Sequence, residues 1–273
     1  MGSGIAETAA LHGIDVLVAE ASQEAADTGR RRIIASLDRG VSRGKLTVQE
    51  RESTIGRITF TRHLDELGSS EFVIEAVAEN RAIKTDVLRT IDKAIADSET
   101  VLATNTSSIP ITDLAMATQR PDRVIGMHFF NPVTAQQLVE VIPALTTSEE
   151  TVRLTRQFAT EQLKRQAIQA ADRSGFIVNA LLIPYLLAAV RMVDSGTATP
   201  QDIDHGMELG CAHPMGPLRL LDLIGLDTAM AIAESMYEEF SEALYAPPPV
   251  LRRMVAAGFL GRKTGQGFYA YGS

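Results

Sequence analysis

A histidine that closes an apolar run, and a glutamate twelve positions further on, form the pair in this sequence best suited to moving a proton. His128 follows the run Val124–Met127, and Glu140 lies within Leu138–Val141, beyond the turn signal Asn131–Pro132. Two neighbouring strands joined at that turn would bring the carboxylate to the imidazole. It could then hold one ring nitrogen, fix the tautomer and favour the imidazolium, while the other nitrogen takes a proton. Histidine as a class suits this work because it titrates near neutral pH. Taken alone, each residue also has a plainer reading: a core histidine bonded to backbone, and a solvated charge. The five histidines are scattered without metal-ligand spacing, which predicts no metal site. Neither a G-x-S-x-G elbow nor a P-loop is present. The single Cys211, near His213, reads better as a small buried apolar residue than as a thiol nucleophile. One cysteine forms no internal disulfide and fits a reducing compartment.

The elements needed to hold such a pair are legible over most of the chain. The first half alternates β-rich runs (Ile14–Val18, Phe72–Ala76, Val101–Thr104, Val124–Met127, Leu138–Val141 and Gln166–Ala170) with helical stretches (Gln23–Arg43, Ile83–Ala96 and Thr151–Leu163). That alternation predicts a doubly wound α/β unit, with ligands at the carboxyl ends of the strands. After Asp172–Gly175 only helices are predicted: Phe176–Ser195, Pro200–Leu209, Gly216–Glu242 and Pro249–Ala257. The expected division is residues 1–172 and 173–273. A net charge of −8, with 45% hydrophobic and 22% charged residues, fits a globular protein and disfavours a nucleic acid or anionic membrane as partner. The most apolar stretch, Phe176–Val190, is shorter than the ~20 residues that cross a bilayer and contains Asn179 and Pro184. No basic segment leads an apolar run at the start, so the expectation is a cytoplasmic protein.

Six ordered segments together resemble the 3-hydroxyacyl-CoA dehydrogenase family in its short, single-function form: "TNTSSIPITDLA" (Thr104–Ala115), "GMHFFNP" (Gly126–Pro132), "LVEVI" (Leu138–Ile142), "SGFIVN" (Ser174–Asn179), "AHPMGPLRLLDLIGLD" (Ala212–Asp227) and "GRKTGQGFY" (Gly261–Tyr269). The resemblance implies a Rossmann-type NAD-binding domain, a smaller all-helical substrate and dimerisation domain, and a 3-hydroxyacyl-CoA substrate, short-chain 3-hydroxybutyryl-CoA in particular, in fatty-acid β-oxidation or butanoate metabolism. His128 would be the general base and Glu140 its orienter. Ser107 and Asn179 would bond the substrate's oxygens. Ser107 could instead cap a short helix, and Asn179 could be a helix-start residue. Cofactor contacts would come from Gly2, Glu20, Glu79, Lys84, Ser107, Asn131 and Lys263. Ser36 and Arg43 would touch coenzyme A, with Arg30–Arg32 as further phosphate contacts or a solvated basic face. Ala180 departs from the arginine many relatives carry there.

Gly2 matches the third glycine of the dinucleotide fingerprint, and Glu20 the acid ~20 residues on that bonds a ribose 2′-hydroxyl. The likeness therefore implies a strand and glycine turn, roughly a dozen residues, ahead of Met1. A homodimer is expected through the helical domain, using Phe176, Ile177, Leu181, Leu186 and Val190. Two alternatives stay open: a non-catalytic relative of crystallin type, and an NADPH-preferring reductase, NADP being disfavoured by Glu20.

Overall fold

The computed structural model describes residues 1–272. The chain divides into two units, Met1–Asp172 and Arg173–Ser273.

The first unit is Rossmann-type, with α1 (Gly2–Leu11), β1 (Val16–Ala19), α2 (Gln23–Ser42), α3 (Val48–Gly56), β2 (Ile58–Thr61), β3 (Phe72–Glu75), α4 (Arg81–Ala94), β4 (Val101–Thr104), α5 (Ile111–Ala115), β5 (Val124–Phe129), β6 (Leu138–Pro143), α6 (Glu149–Gln157) and β7 (Gln166–Gln169). Local chemistry explains the helix starts. Ser22 accepts from Ala25 N–H, Asn80 from Ile83 N–H, and Ser148 from Thr151 N–H. Thr47 and Glu50 form a reciprocal capping box at the start of α3. On α2 the apolar stripe turns Ile33 and Leu37 fully inward.

The strands fall into two sheets, β1-β2 and β3-β4-β5-β6-β7. All ladders are parallel except β5–β6. α1 packs on both sheets. Its Ile5 and Ala9 join the core of the five-stranded sheet with Val101, Ile125 and Val141, while Ala6 and Ala10 join Ile33, Leu37 and Ile58. Two elements were not foreseen, α3 and β2, the second reading Ile-Thr-Phe-Thr. Thr151–Leu163 is α6, begun two residues earlier at Glu149, followed by one π turn at Phe158–Gln162.

The second unit is helical: α7 (Val178–Asp194), α8 (Pro200–Cys211), α9 (Pro217–Ile224), α10 (Leu226–Phe240) and α11 (Pro249–Ala256). The helix expected over Gly216–Glu242 is two helices, because Gly225 takes φ +103 between them. The core gathers Ile183, Leu186, Val190, Leu218, Leu221 and Met236. "GRKTGQGFY" wraps the buried carboxylate of Asp222, which accepts from Phe268 N–H, Tyr269 N–H and the Tyr271 hydroxyl at 2.9–3.0 Å. A Cβ on Gly267 would overlap that carboxylate. Cys211, expected inside, is exposed at the last turn of α8. Among the described residues no helix is long and apolar enough to cross a membrane.

Candidate active site

The antiparallel ladder between β5 and β6 sets His128 directly opposite Glu140. Side chains paired this way point to the same face and lie close. His128 Nδ1 is 2.8 Å from Glu140 Oε2, with the carboxylate fully buried. A carboxylate accepts from Nδ1–H, which leaves Nε2 as the basic nitrogen. Nε2 is 3.1 Å from Ser107 Oγ. Phe130 meets the imidazole edge-on at 4.7 Å between ring centres. The imidazole therefore has a fixed tautomer, and its Nε2 sits beside a hydroxyl at the carboxyl end of the sheet.

Ser107 arrives on the loop after β4, and that loop is held by Glu79. Glu79 Oε1 accepts from the Thr106 hydroxyl (2.6 Å), Ser107 N–H (2.9 Å), Ser108 N–H (3.1 Å) and the Ser108 hydroxyl (3.1 Å). Burial opposes charge on Glu79, yet the Lys84 ammonium and these donors hold its carboxyl below the usual carboxylate range. Ser107 does not cap α5. The cap position is Pro110, and Asp172 accepts from Ile111 N–H, Thr112 N–H and the Thr112 hydroxyl at 2.7–2.8 Å. Asn105 Oδ1 accepts from Phe129 N–H, which ties the ends of β4 and β5.

Lys84, expected at a ligand surface, is 1% exposed, and its ammonium bonds Glu75 at 2.9 and 3.1 Å. Direct ligand contact would require it to abandon that buried carboxylate. Asn131 is exposed just after β5. Glu20 follows β1 directly, and no described residue hydrogen-bonds its carboxylate. At Gly2 a Cβ would meet only Ala76, at 3.8 Å, an ordinary contact. The tighter approach is at Gly4, where a Cβ would lie 3.1 Å from Val133. Ser36 donates to Glu7 Oε1 at 2.8 Å across α1 and α2. Arg43 closes α2 at the surface. Of the neighbouring basic residues, Arg30 stacks over Phe60 and Arg31 bonds Thr28.

In the second unit, Asn179 is buried in the first turn of α7. The turn before it runs through two left-handed residues, Gly175 and Phe176. Lys263 pairs with Asp227 at 2.6 Å. Of the five apolar residues expected to form a surface, Phe176, Leu186 and Val190 are buried within this unit. Helical periodicity leaves Ile177 and Leu181 outside, Leu181 at 73% exposure. Sequence reasoning missed Glu75, Thr104, Thr106 and Asp172, all hydroxyl or carboxylate groups whose partners are set by the tertiary fold. Among the described residues no cluster could hold a metal ion.

A Rossmann-type unit with a carboxylate-held imidazole at its carboxyl edge fits a dinucleotide-dependent oxidoreductase as the class. Residues 1–173 match the family model "3-hydroxyacyl-CoA dehydrogenase, NAD binding domain", and residues 175–271 that of the C-terminal domain. A 3-hydroxybutyryl-CoA dehydrogenase of Mycobacterium tuberculosis is 51% identical over 271 residues, covering 99% of this chain and 95% of the relative. The crystal structure of FadB2 from M. tuberculosis superposes with a TM-score of 0.99 at 51% identity, covering 100% and 95% of the two chains. (S)-3-hydroxybutyryl-CoA dehydrogenase PaaH1 of Ralstonia eutropha gives 0.94 at 43% identity, covering 100% and 96%. The chain belongs to the 3-hydroxyacyl-CoA dehydrogenase family.

Proposed function

We propose that this chain oxidises the C3 hydroxyl of short-chain (S)-3-hydroxyacyl-CoA, 3-hydroxybutyryl-CoA foremost, with NAD, and runs the reverse reduction of acetoacetyl-CoA through the same transition state. The observation that carries the reading is the array Glu140–His128–Ser107, with its 2.8 and 3.1 Å contacts. NAD, when bound, would supply the hydride acceptor for C3. His128 Nε2 takes the hydroxyl proton as the C3–O bond becomes a carbonyl, and Glu140 stabilises the imidazolium that results. The Ser107 hydroxyl and the Asn179 amide donate to the C3 oxygen and the thioester carbonyl, where charge builds.

The residues fit the cofactor. The carboxylate of Glu20, which accepts no hydrogen bond from the described residues, suits ribose hydroxyls and repels a 2′-phosphate, which favours NAD over NADP. The small residues at the start of α1 let a phosphate approach a helix N-terminus. Gly2, Glu79, Ser107 and Asn131 complete the lining, with Lys84 acting through Glu79. Lys263, paired with Asp227 within the helical unit, is carried as a cofactor contact by the family likeness alone. Ser36 and Arg43, on the basic face of α2, are assigned to coenzyme A, whose phosphates suit guanidinium groups. Leu181, Leu209 and Leu223, exposed on α7, α8 and α9, support a homodimer through the helical unit.

The test is turnover of (S)-3-hydroxybutyryl-CoA with NAD, and of acetoacetyl-CoA with NADH and NADPH, followed at the nicotinamide absorbance. Turnover that is faster with NADH and abolished by His128→Gln is the expected result. A folded sample inactive with both cofactors would overturn the enzymatic reading in favour of a structural protein. Faster reduction with NADPH would overturn the assignment of Glu20. Leu181→Glu should turn a dimer into a monomer by light scattering, and a wild-type monomer would sink that part.

A further inference from the structure

We propose that Glu75 is a positioning residue for this reaction: through Lys84 and Glu79 it fixes the loop that carries Ser107 to His128. This rests on the reading above that Ser107 serves the reacting oxygen.

Glu75 is the last residue of β3 and pairs in register with Thr104, the last of β4. Its carboxylate is wholly buried, and both oxygens are filled. Oε1 accepts from Val77 N–H (2.6 Å) and the Lys84 ammonium (2.9 Å). Oε2 accepts from the Thr104 hydroxyl (2.6 Å) and again from Lys84 (3.1 Å). Lys84 projects from the first turn of α4 and also reaches Val77 O at 3.3 Å and Glu79 Oε2 at 3.3 Å. Glu79 is thus held by one oxygen on Lys84, and its other oxygen gathers four donors from Thr106, Ser107 and Ser108.

The chain of contacts runs from a rigid strand end to a loop that has no ladder of its own. Ion pairs so deeply buried are weak evidence for stability, since apolar residues of the same shape can do as well. What an apolar pair could not do is orient Glu79. Two carboxylates sharing one ammonium leave the outer one charged and ready to accept N–H and O–H groups from the loop. Lys84 accordingly works on the reaction at second hand.

The experiment compares Glu75→Gln, Ser107→Ala and the double variant, by single-turnover NADH formation from (S)-3-hydroxybutyryl-CoA, with melting temperature as the folding readout. E75Q should slow the hydride step about 10-fold, less than the ~100-fold that deleting a well-placed donor costs. The discriminating result is in the S107A background, where E75Q should have no further effect. Equal fold-losses in both backgrounds would overturn the proposal, because Glu75 would then act independently of Ser107. S107A with an undiminished rate would overturn the site reading itself, which is a separate failure. If E75Q does not fold, Glu75→Gln combined with Lys84→Met removes both charges together and should show the same loss and the same masking by S107A. Failure of that variant to fold as well would overturn the proposal, because Glu75 would be holding the fold and not the loop.

Discussion

Glu140→Gln separates the charge of the orienting group from its shape. The amide fits the same volume, and its oxygen can still accept from Nδ1–H, so the imidazole keeps its tautomer and its place across the β5–β6 ladder. What is lost is the ionic attraction to the imidazolium formed as the proton arrives. For charge centres about 4 Å apart at an effective dielectric of about 20, that attraction is about 4 kcal/mol. The neutral bond that remains returns about 1 kcal/mol. A net loss of about 3 kcal/mol in the transition state alone corresponds to a fall in kcat of about 10²-fold, at 1.36 kcal/mol per decade. Glu140 is fully buried beneath His128, so KM for the acyl-CoA should hardly move. The fold should stand, since a neutral group replaces a buried charge. Steady-state assays of both directions, with thermal melting alongside, give the answer. A kcat within threefold of the wild type in a well-folded sample would refute the claim that Glu140 stabilises a developing imidazolium. A tenfold rise in KM with kcat intact would refute the claim that it acts only in the transition state.

Other consequences concern stability and pH. Lys84→Met alone leaves the Glu75 carboxylate buried without its cation and should cost about 3–5 kcal/mol in urea unfolding, most of it recovered when Glu75→Gln is added. A non-additive recovery is the expected sign, and simple addition of two losses would contradict the pairing. Gly267→Ala should destabilise the helical unit by about 3 kcal/mol or more, because its Cβ must displace the Asp222 carboxylate from three donors; a melting temperature equal to wild type would count against that packing. Burial raises the carboxyl of Glu7, against the hydrogen bond from Ser36 and the charge of Arg39. A raised carboxyl contributes stability that is fully present below the usual carboxylate range and is lost as pH rises through the elevated value. Glu7→Gln should therefore melt above the wild type near pH 8, with the gap closing near pH 4. A gap that does not change with pH would refute it.

The sequence carried the β-α alternation because buried parallel strands write themselves as short apolar runs, and it carried the start of α2 after Ser22, while α4 and α6 begin two residues before the expected Ile83 and Thr151, at caps Asn80 and Ser148 that an apolar period does not mark. It did not carry β2, whose Ile-Thr-Phe-Thr makes no continuous apolar run, nor the break at Gly225, where one glycine dihedral divides an otherwise continuous helical pattern. His128 and Glu140 were legible as a pair through the family likeness, the turn signal between two apolar runs supplying only a way for them to meet. Lys84 was legible as a cation but not as a buried one. Nothing in "NRAIKTD" tells that its lysine turns inward, since the decision is made by a carboxylate nine residues upstream that faces it only once β3 and α4 have packed. Leu186 and Val190 failed as surface residues for a related reason: the apolar content of α7 is visible in sequence, but which face meets α9 and α10 is not.

The contacts of His128 to Glu140 and to Ser107 are built differently, and that difference governs how the site responds to change. The contact to Glu140 is written into a ladder: residues 128 and 140 are register partners, so their separation is set by backbone hydrogen bonds on both sides, and a one-residue slip would send Glu140 to the opposite face. The contact to Ser107 has no such ladder. Its loop is tethered by four donors to Glu79, and Glu79 by Lys84 to the end of β3. Substitutions among these interior side chains should therefore loosen the hydroxyl arm while leaving the base and its carboxylate in place. The outcome is a slower enzyme with an intact proton acceptor, in contrast to Glu140→Gln, which leaves the hydroxyl arm in place and removes the charge that makes proton acceptance favourable.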